Sequence, residues 1–129
     1  MCVIELSSEE LYARNILREL AIKGQTVSYS TFLSLAGLDS RFDLKKSKDR
    51  AELGALLGAI SRYEYQYGRP MLSSIVYLKG ANGKYGEGFF SLAEELYEID
   101  LSSDAKREEF SKEEREYALM FWKRNKKIK

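Results

Sequence analysis

Between Gly68 and Phe90 the chain gathers five of its nine glycines and its only proline. Backbone conformations that other residues avoid are therefore concentrated in one stretch. Pro70 holds φ near −65° and opens a run in which Leu72, Ser74, Val76 and Leu78 alternate with Met71, Ser73, Ile75 and Tyr77. Alternation of that kind predicts a strand covered on both sides. A glycine-rich loop from Gly80 to Gly88 follows, with Asn82-Gly83 as a turn signal, and then an apolar-aromatic helix start at Phe89. Everything before and after this stretch has helical periodicity.

Serine 7 with Glu10 three residues on predicts a capped first helix over about 8–23, with Leu11, Ile16, Leu17, Leu20 and Ala21 at helical spacing up to Gly24. Gln25-Thr26-Val27 is a short extended entry, and Ser28 caps a second helix that turns Phe32, Leu35 and Ala36 inward and ends at Gly37. Residues 38–48 are polar and predict a loop. Asp49-x-x-Glu52 forms a second capping box, and Leu53, Leu56, Leu57 and Ile60 make the clearest apolar stripe in the chain. Gly54 and Gly58 on this helix each cost about 1 kcal/mol relative to Ala, which points to close packing there, with the first helix as the candidate neighbour. Alternating Tyr63, Tyr65 and Tyr67 predict an extended approach to Pro70. Further on, Phe89 to Tyr97 is predicted helical, Asp100 to Asp104 is the nearest thing to a linker, and Ser111-x-x-Glu114 predicts the cap of a last helix over about 112–126.

A length of 129 residues with 44% hydrophobic content suits one packed domain, residues 1–129, with its core in about 8–98. Histidine is absent and the single cysteine is Cys2, which removes the usual zinc ligands, a Ser-His triad and any disulfide. No metal or other cofactor is expected. Without an apolar run of signal-peptide or membrane-spanning length, the sequence leads to a cytoplasmic protein with no membrane association. Net charge is +1, so attraction to a polyanion needs a local patch. One exists at Arg41, Lys45, Lys46, Lys48 and Arg50. A second basic run, Lys123 to Lys129, follows an acidic stretch in which residues 94–116 carry ten acidic and four basic side chains. Tyr63, Tyr65 and Tyr67 are candidates for base stacking as well as for packing.

The order of helix, short helix, loop, longer helix, strand and glycine-rich loop is that of a helix-turn-helix followed by a wing. Within it, Val27-Ser28-Tyr29-Ser30-Thr31-Phe32-Leu33-Ser34-Leu35-Ala36-Gly37 resembles the Ser-Tyr-x-x-Leu-Ala-x-x-Ala-Gly segment in the C-terminal domain of alkylguanine-DNA alkyltransferases and alkyltransferase-like proteins. Arg50-Ala51-Glu52-Leu53-Gly54-Ala55 resembles their Arg-Ala-Val-Gly helix start. Arg69-Pro70-Met71-Leu72-Ser73-Ser74-Ile75-Val76 falls where they carry Pro-Cys-His-Arg-Val-Val, and the Gly80–Gly88 loop is similar to their Ser-Gly-x-x-Gly-x-Tyr-x-x-Gly stretch. The resemblance covers about residues 9–98.

It implies a winged-helix-like DNA-binding fold in which Tyr29 presses on a phosphate and Arg50 enters the duplex as a base is extruded. It also implies no alkyl transfer, because Met71, Leu72 and Ser73 stand where the thiolate and its activating histidine would be. The expectation is an α+β, mainly helical domain with a small β wing around residues 71–86. Its function would be non-enzymatic binding of double-stranded DNA, with Ser28, Tyr29, Arg41, Lys45, Lys46, Lys48 and Arg50 facing the duplex. The alternative is a protein-protein interaction or homodimerisation module that uses the acidic 94–116 segment and the aromatic C-terminal helix with Phe121 and Trp122.

Overall fold

The computed structural model describes residues 4–78 and 85–128. These form five α-helices and a two-stranded sheet. Helix α1 spans Ser8–Ile22 and starts as expected: the Ser7 hydroxyl accepts the Glu10 N–H at 3.1 Å while the Glu10 carboxylate accepts the Ser7 N–H at 2.8 Å. Strand β1, Val27–Ser28, leads directly into α2, Tyr29–Leu35, whose first turn is capped by the Ser28 hydroxyl. Gly37 closes it with φ +70°, a conformation that glycine adopts without a Cβ clash.

Leu35 is 47% exposed and Leu33 takes its place in the core beside Phe32 and Ala36. With only seven residues, α2 packs through one narrow face, and Leu35 falls beyond its edge.

Helix α3 covers Ser47–Gln66, about 30 Å at 1.5 Å per residue. Two expectations change here. The helix begins at Ser47 without a side-chain cap, and Asp49 instead accepts the Asp43 N–H at 2.7 Å, bracing the loop that precedes it. At the other end the helix runs on through Tyr63 and Tyr65, because the steric effect of Pro70 reaches only its immediate neighbour Arg69. Ile60, Ser61 and Glu64 are all fully buried, so the inward stripe continues to the last turn. The helix stops where Gly68, at φ +72°, lets Arg69 donate its N–H back to the Glu64 carbonyl at 3.0 Å.

After Pro70 the expected strand is replaced by a 3-10 turn, Leu72–Ile75, and a short strand β2, Val76–Tyr77. The cause is local: the Ser74 hydroxyl donates to the Met71 carbonyl at 2.6 Å and the Ser73 N–H donates to the Ser61 hydroxyl at 3.2 Å, which draws the chain out of an extended ladder. Burial on both sides does hold, since Leu72, Ser74, Ile75 and Val76 are all inaccessible to solvent. Strand β2 pairs in parallel with β1, Val27 opposite Val76 and Ser28 opposite Tyr77. The sheet is thus a crossover pair joining distant segments. The expected wing around 71–86 includes residues 79–84, which lie outside the described residues.

Helix α4 covers Glu87–Tyr97 and α5 covers Asp104–Arg124. Ser103, in the linker, caps α5 by accepting the Lys106 N–H at 3.2 Å, so the last helix starts well before the expected 112. Ser111 and Glu114 do not cap anything. Both are buried in mid-helix, and the Ser111 hydroxyl bonds the Glu108 carbonyl of its own helix.

The apolar residues fall into two clusters. The larger joins α1, α2, α3 and the 3-10 turn to Ala118 and Trp122 of α5. The smaller packs Met71 and Tyr85 against Phe89, Phe90, Leu92 and Ala93 of α4. At Gly58 an added Cβ would lie 3.7 Å from Leu92 Cδ2, so the neighbour of Gly58 is α4 and not the first helix, while Gly54 has nothing within 4 Å. Trp122 is fully buried, with the guanidiniums of Arg14, Arg18 and Arg69 5.2, 5.6 and 5.7 Å from its rings. Trp122 is therefore taken up by the chain's own core, while Tyr117 and Met120 of the same helix stay exposed.

Candidate nucleic-acid interface

On α3, the apolar stripe Leu53-Leu56-Leu57-Ile60 faces inward, and beside it Ala51, Gly54, Ala55, Gly58 and Ala59 form a stripe of small side chains. Small residues there leave space between α3 and α4. The result is a groove of about 830 Å³, walled on one side by α3 and on the other by Gly86, Glu87, Gly88, Phe89, Ser91, Leu92 and Glu95. Tyr29, at the start of α2, and Arg50, in the first turn of α3, both line it, and Ser73 and Leu78 also contribute.

Tyr29 is half-buried, and a Cβ on Gly86 would stand 3.8 Å from its hydroxyl. Burial, with a smaller contribution from Tyr85, raises its pKa above the usual phenol value, so it remains a neutral hydroxyl at physiological pH. Arg50 is exposed and donates to the Leu44 carbonyl at 2.8 Å, which holds its guanidinium beside the groove. Arg62, further along α3, forms a two-pronged pair with Glu95 of α4. Each group favours the charged form of the other: the Arg62 value is raised and the Glu95 value is lowered, in both cases chiefly by that hydrogen bond.

The hydroxyl of Ser73, which lines the groove, lies 2.7 Å from that of the fully buried Ser61. The Ser73 N–H also donates to the Ser61 oxygen, which leaves the Ser61 O–H able to donate a hydrogen bond to the Ser73 hydroxyl.

Of the residues singled out from the sequence, the structure brings Tyr29 and Arg50 to one groove. Lys45 and Lys46, on the segment that leads into α3, and Lys48, in its first turn, are exposed just before Arg50. Two others are otherwise occupied. Ser28 is buried, and its hydroxyl caps α2 and contacts the Ser30 and Thr31 hydroxyls. Arg41 pairs with Glu9 of α1 and lies over the Phe42 ring at 4.9 Å, away from the groove lining. Arg62, Glu95 and Ser61 were not singled out. Gly54 and Gly58 were the one trace of the groove in the sequence, and their reading as a packing site holds at Gly58 alone.

Among the described residues no helix is long and apolar enough to cross a membrane. No protein-family model, no curated protein and no solved structure matches this chain.

Proposed function

We propose that this chain is a non-enzymatic, cytoplasmic module that binds double-stranded DNA. In this reading α2 and α3 serve as the helix pair of a winged-helix-like arrangement related to alkyltransferase-like proteins. The observation that carries it is the meeting of Tyr29 and Arg50 on one groove, from two helices and with Lys45, Lys46 and Lys48 exposed alongside. Lysines of this kind contact phosphates and position a duplex without reading its sequence. A neutral phenol at the rim can donate to a phosphate oxygen, and a guanidinium held by a backbone carbonyl can reach into the duplex.

Met71 and Leu72 are both fully buried and carry no nucleophile, which supports binding without alkyl transfer. Gel shift with duplex DNA is the test. Affinity should fall with salt at a log-log slope of about −0.9 per phosphate contacted, and Lys45/Lys46/Lys48→Gln should lower that slope by nearly three. No shift at low salt in the micromolar range ends the proposal.

A further inference from the structure

Four cations, Lys123, Arg124, Lys126 and Lys127, occupy the last turn of α5 and the segment after it, and all four are exposed. None of them forms an ion pair with an acidic side chain among the described residues. The segment is also held in place. The Arg18 guanidinium of α1 donates to the carbonyls of Lys126 and of Ile128, the latter at 2.6 Å, and the Asn125 side chain donates to the Phe121 carbonyl at 2.7 Å. Fixing carbonyls in this way turns the lysine side chains outward from a set backbone.

One exposed tyrosine, Tyr67, stands at the end of α3, and another, Tyr117, on α5 itself. Arg69 lies 4.6 Å from the Tyr67 ring centroid and 5.7 Å from that of Trp122, next to Lys123 in the chain. Tyr67 is 55% exposed, and Tyr117, whose ring meets Phe121 edge-on, is 42% exposed. Tyr67, Arg69, Tyr117 and the four cations take no part in the groove lining, so this surface is separate from the groove.

We propose that the Tyr67–Tyr117 face and the fixed cations at 123–127 form a second binding surface, whose occupant is single-stranded nucleic acid. Unpaired cations match a phosphate backbone, and exposed phenol rings match unstacked bases, each of which offers a π face. Insertion into a membrane is disfavoured, because the apolar side of α5 with Ala118 and Trp122 is already buried in the core.

Fluorescence anisotropy with a labelled oligothymidylate tests this, using the full chain. Wild type should bind, and Lys123/Arg124/Lys126/Lys127→Gln should weaken binding at least tenfold and lower the salt slope by nearly three, at about 0.7 per contact on a single strand. Tyr67→Ala, an exposed change, should weaken it at least fivefold with the salt slope unchanged. Lys45/Lys46/Lys48→Gln should weaken oligothymidylate binding less than Lys123/Arg124/Lys126/Lys127→Gln does and duplex binding more, so that failure of the duplex reading and failure of this one are told apart. No binding by wild type at low salt, equal binding by the quadruple variant, or wild-type affinity in Tyr67→Ala overturns it. Tighter binding to phosphatidylserine vesicles than to the oligonucleotide would also overturn it.

Discussion

The Glu114 carboxylate accepts the Met71 backbone N–H at 2.9 Å, and this bond ties the middle of α5 to the turn that follows Pro70. The same carboxylate oxygen accepts the Tyr97 hydroxyl from α4, so one buried side chain joins three segments.

Glu114 should make stability depend on pH in an unusual direction for a carboxylate. Burial raises its value above 4.5, against the opposing pull of the Met71 N–H and the Tyr97 hydroxyl. The folded state therefore holds this proton more tightly than the unfolded state does. The resulting stabilisation is fully present below 4.5 and is lost as pH rises through the elevated folded value. Glu114→Gln should remove that loss, so the variant should gain on wild type as pH climbs from the glutamate range toward neutrality. Thermal melts of both proteins across this range check it, and parallel curves would refute it. Glu114→Ala leaves the Met71 N–H buried and unpaired and should cost about 1–3 kcal/mol.

Glu64 is fully buried and receives Arg14 at 3.1 Å and Arg69 at 2.8 Å. Its removal strands the Arg14 guanidinium, itself 1% exposed, in the core. Glu64→Ala should destabilise by about 3–5 kcal/mol, read from urea unfolding midpoints.

Trp122→Ala should cost about 3–5 kcal/mol for the same reason of burial, through a cavity under three arginines. Deletion of 117–129 removes Trp122 and Ala118 from the core, so it reports on folding before it reports on any dimer. Size-exclusion of Tyr117→Ser/Met120→Ser, both at exposed positions, is the cleaner test of self-association. Unchanged elution beside a dimeric wild type would remove this face from the interface.

Gly54 has nothing within 4 Å of an added Cβ, and Gly58 meets only Leu92 at ordinary contact distance. Gly54→Ala should stabilise by up to about 1 kcal/mol through helix propensity. Gly54→Leu should fill the groove and weaken duplex binding with little loss of stability. Differential scanning calorimetry and gel shift separate the two effects.

Arg50→Ala should lower duplex affinity while the melting temperature stays within a few degrees of wild type, because the side chain is exposed and loses a single carbonyl contact. Equal affinity in both proteins would remove Arg50 from the interface.

The residues alone determined the elements whose signals are local. Ser7 with Glu10, Ser28 with Gly37, and the Leu53-Leu56-Leu57-Ile60 stripe each act within one or two turns, and α1, α2 and the body of α3 stand where they point. Tertiary structure decided whatever depends on a partner far along the chain. Ser111 and Glu114 have the spacing of a cap, yet Met71, 43 residues away, draws Glu114 inward. No local signal marks Arg14 as a core residue, and it is Glu64, 50 residues on, that neutralises it there. The run after Pro70 alternates like a strand, but Ser61 and the local serine hydroxyls bend it into a 3-10 turn. Caps and periodicity are settled by neighbours a few residues off, whereas burial of a charge and the pairing of strands require contacts that only the folded chain supplies.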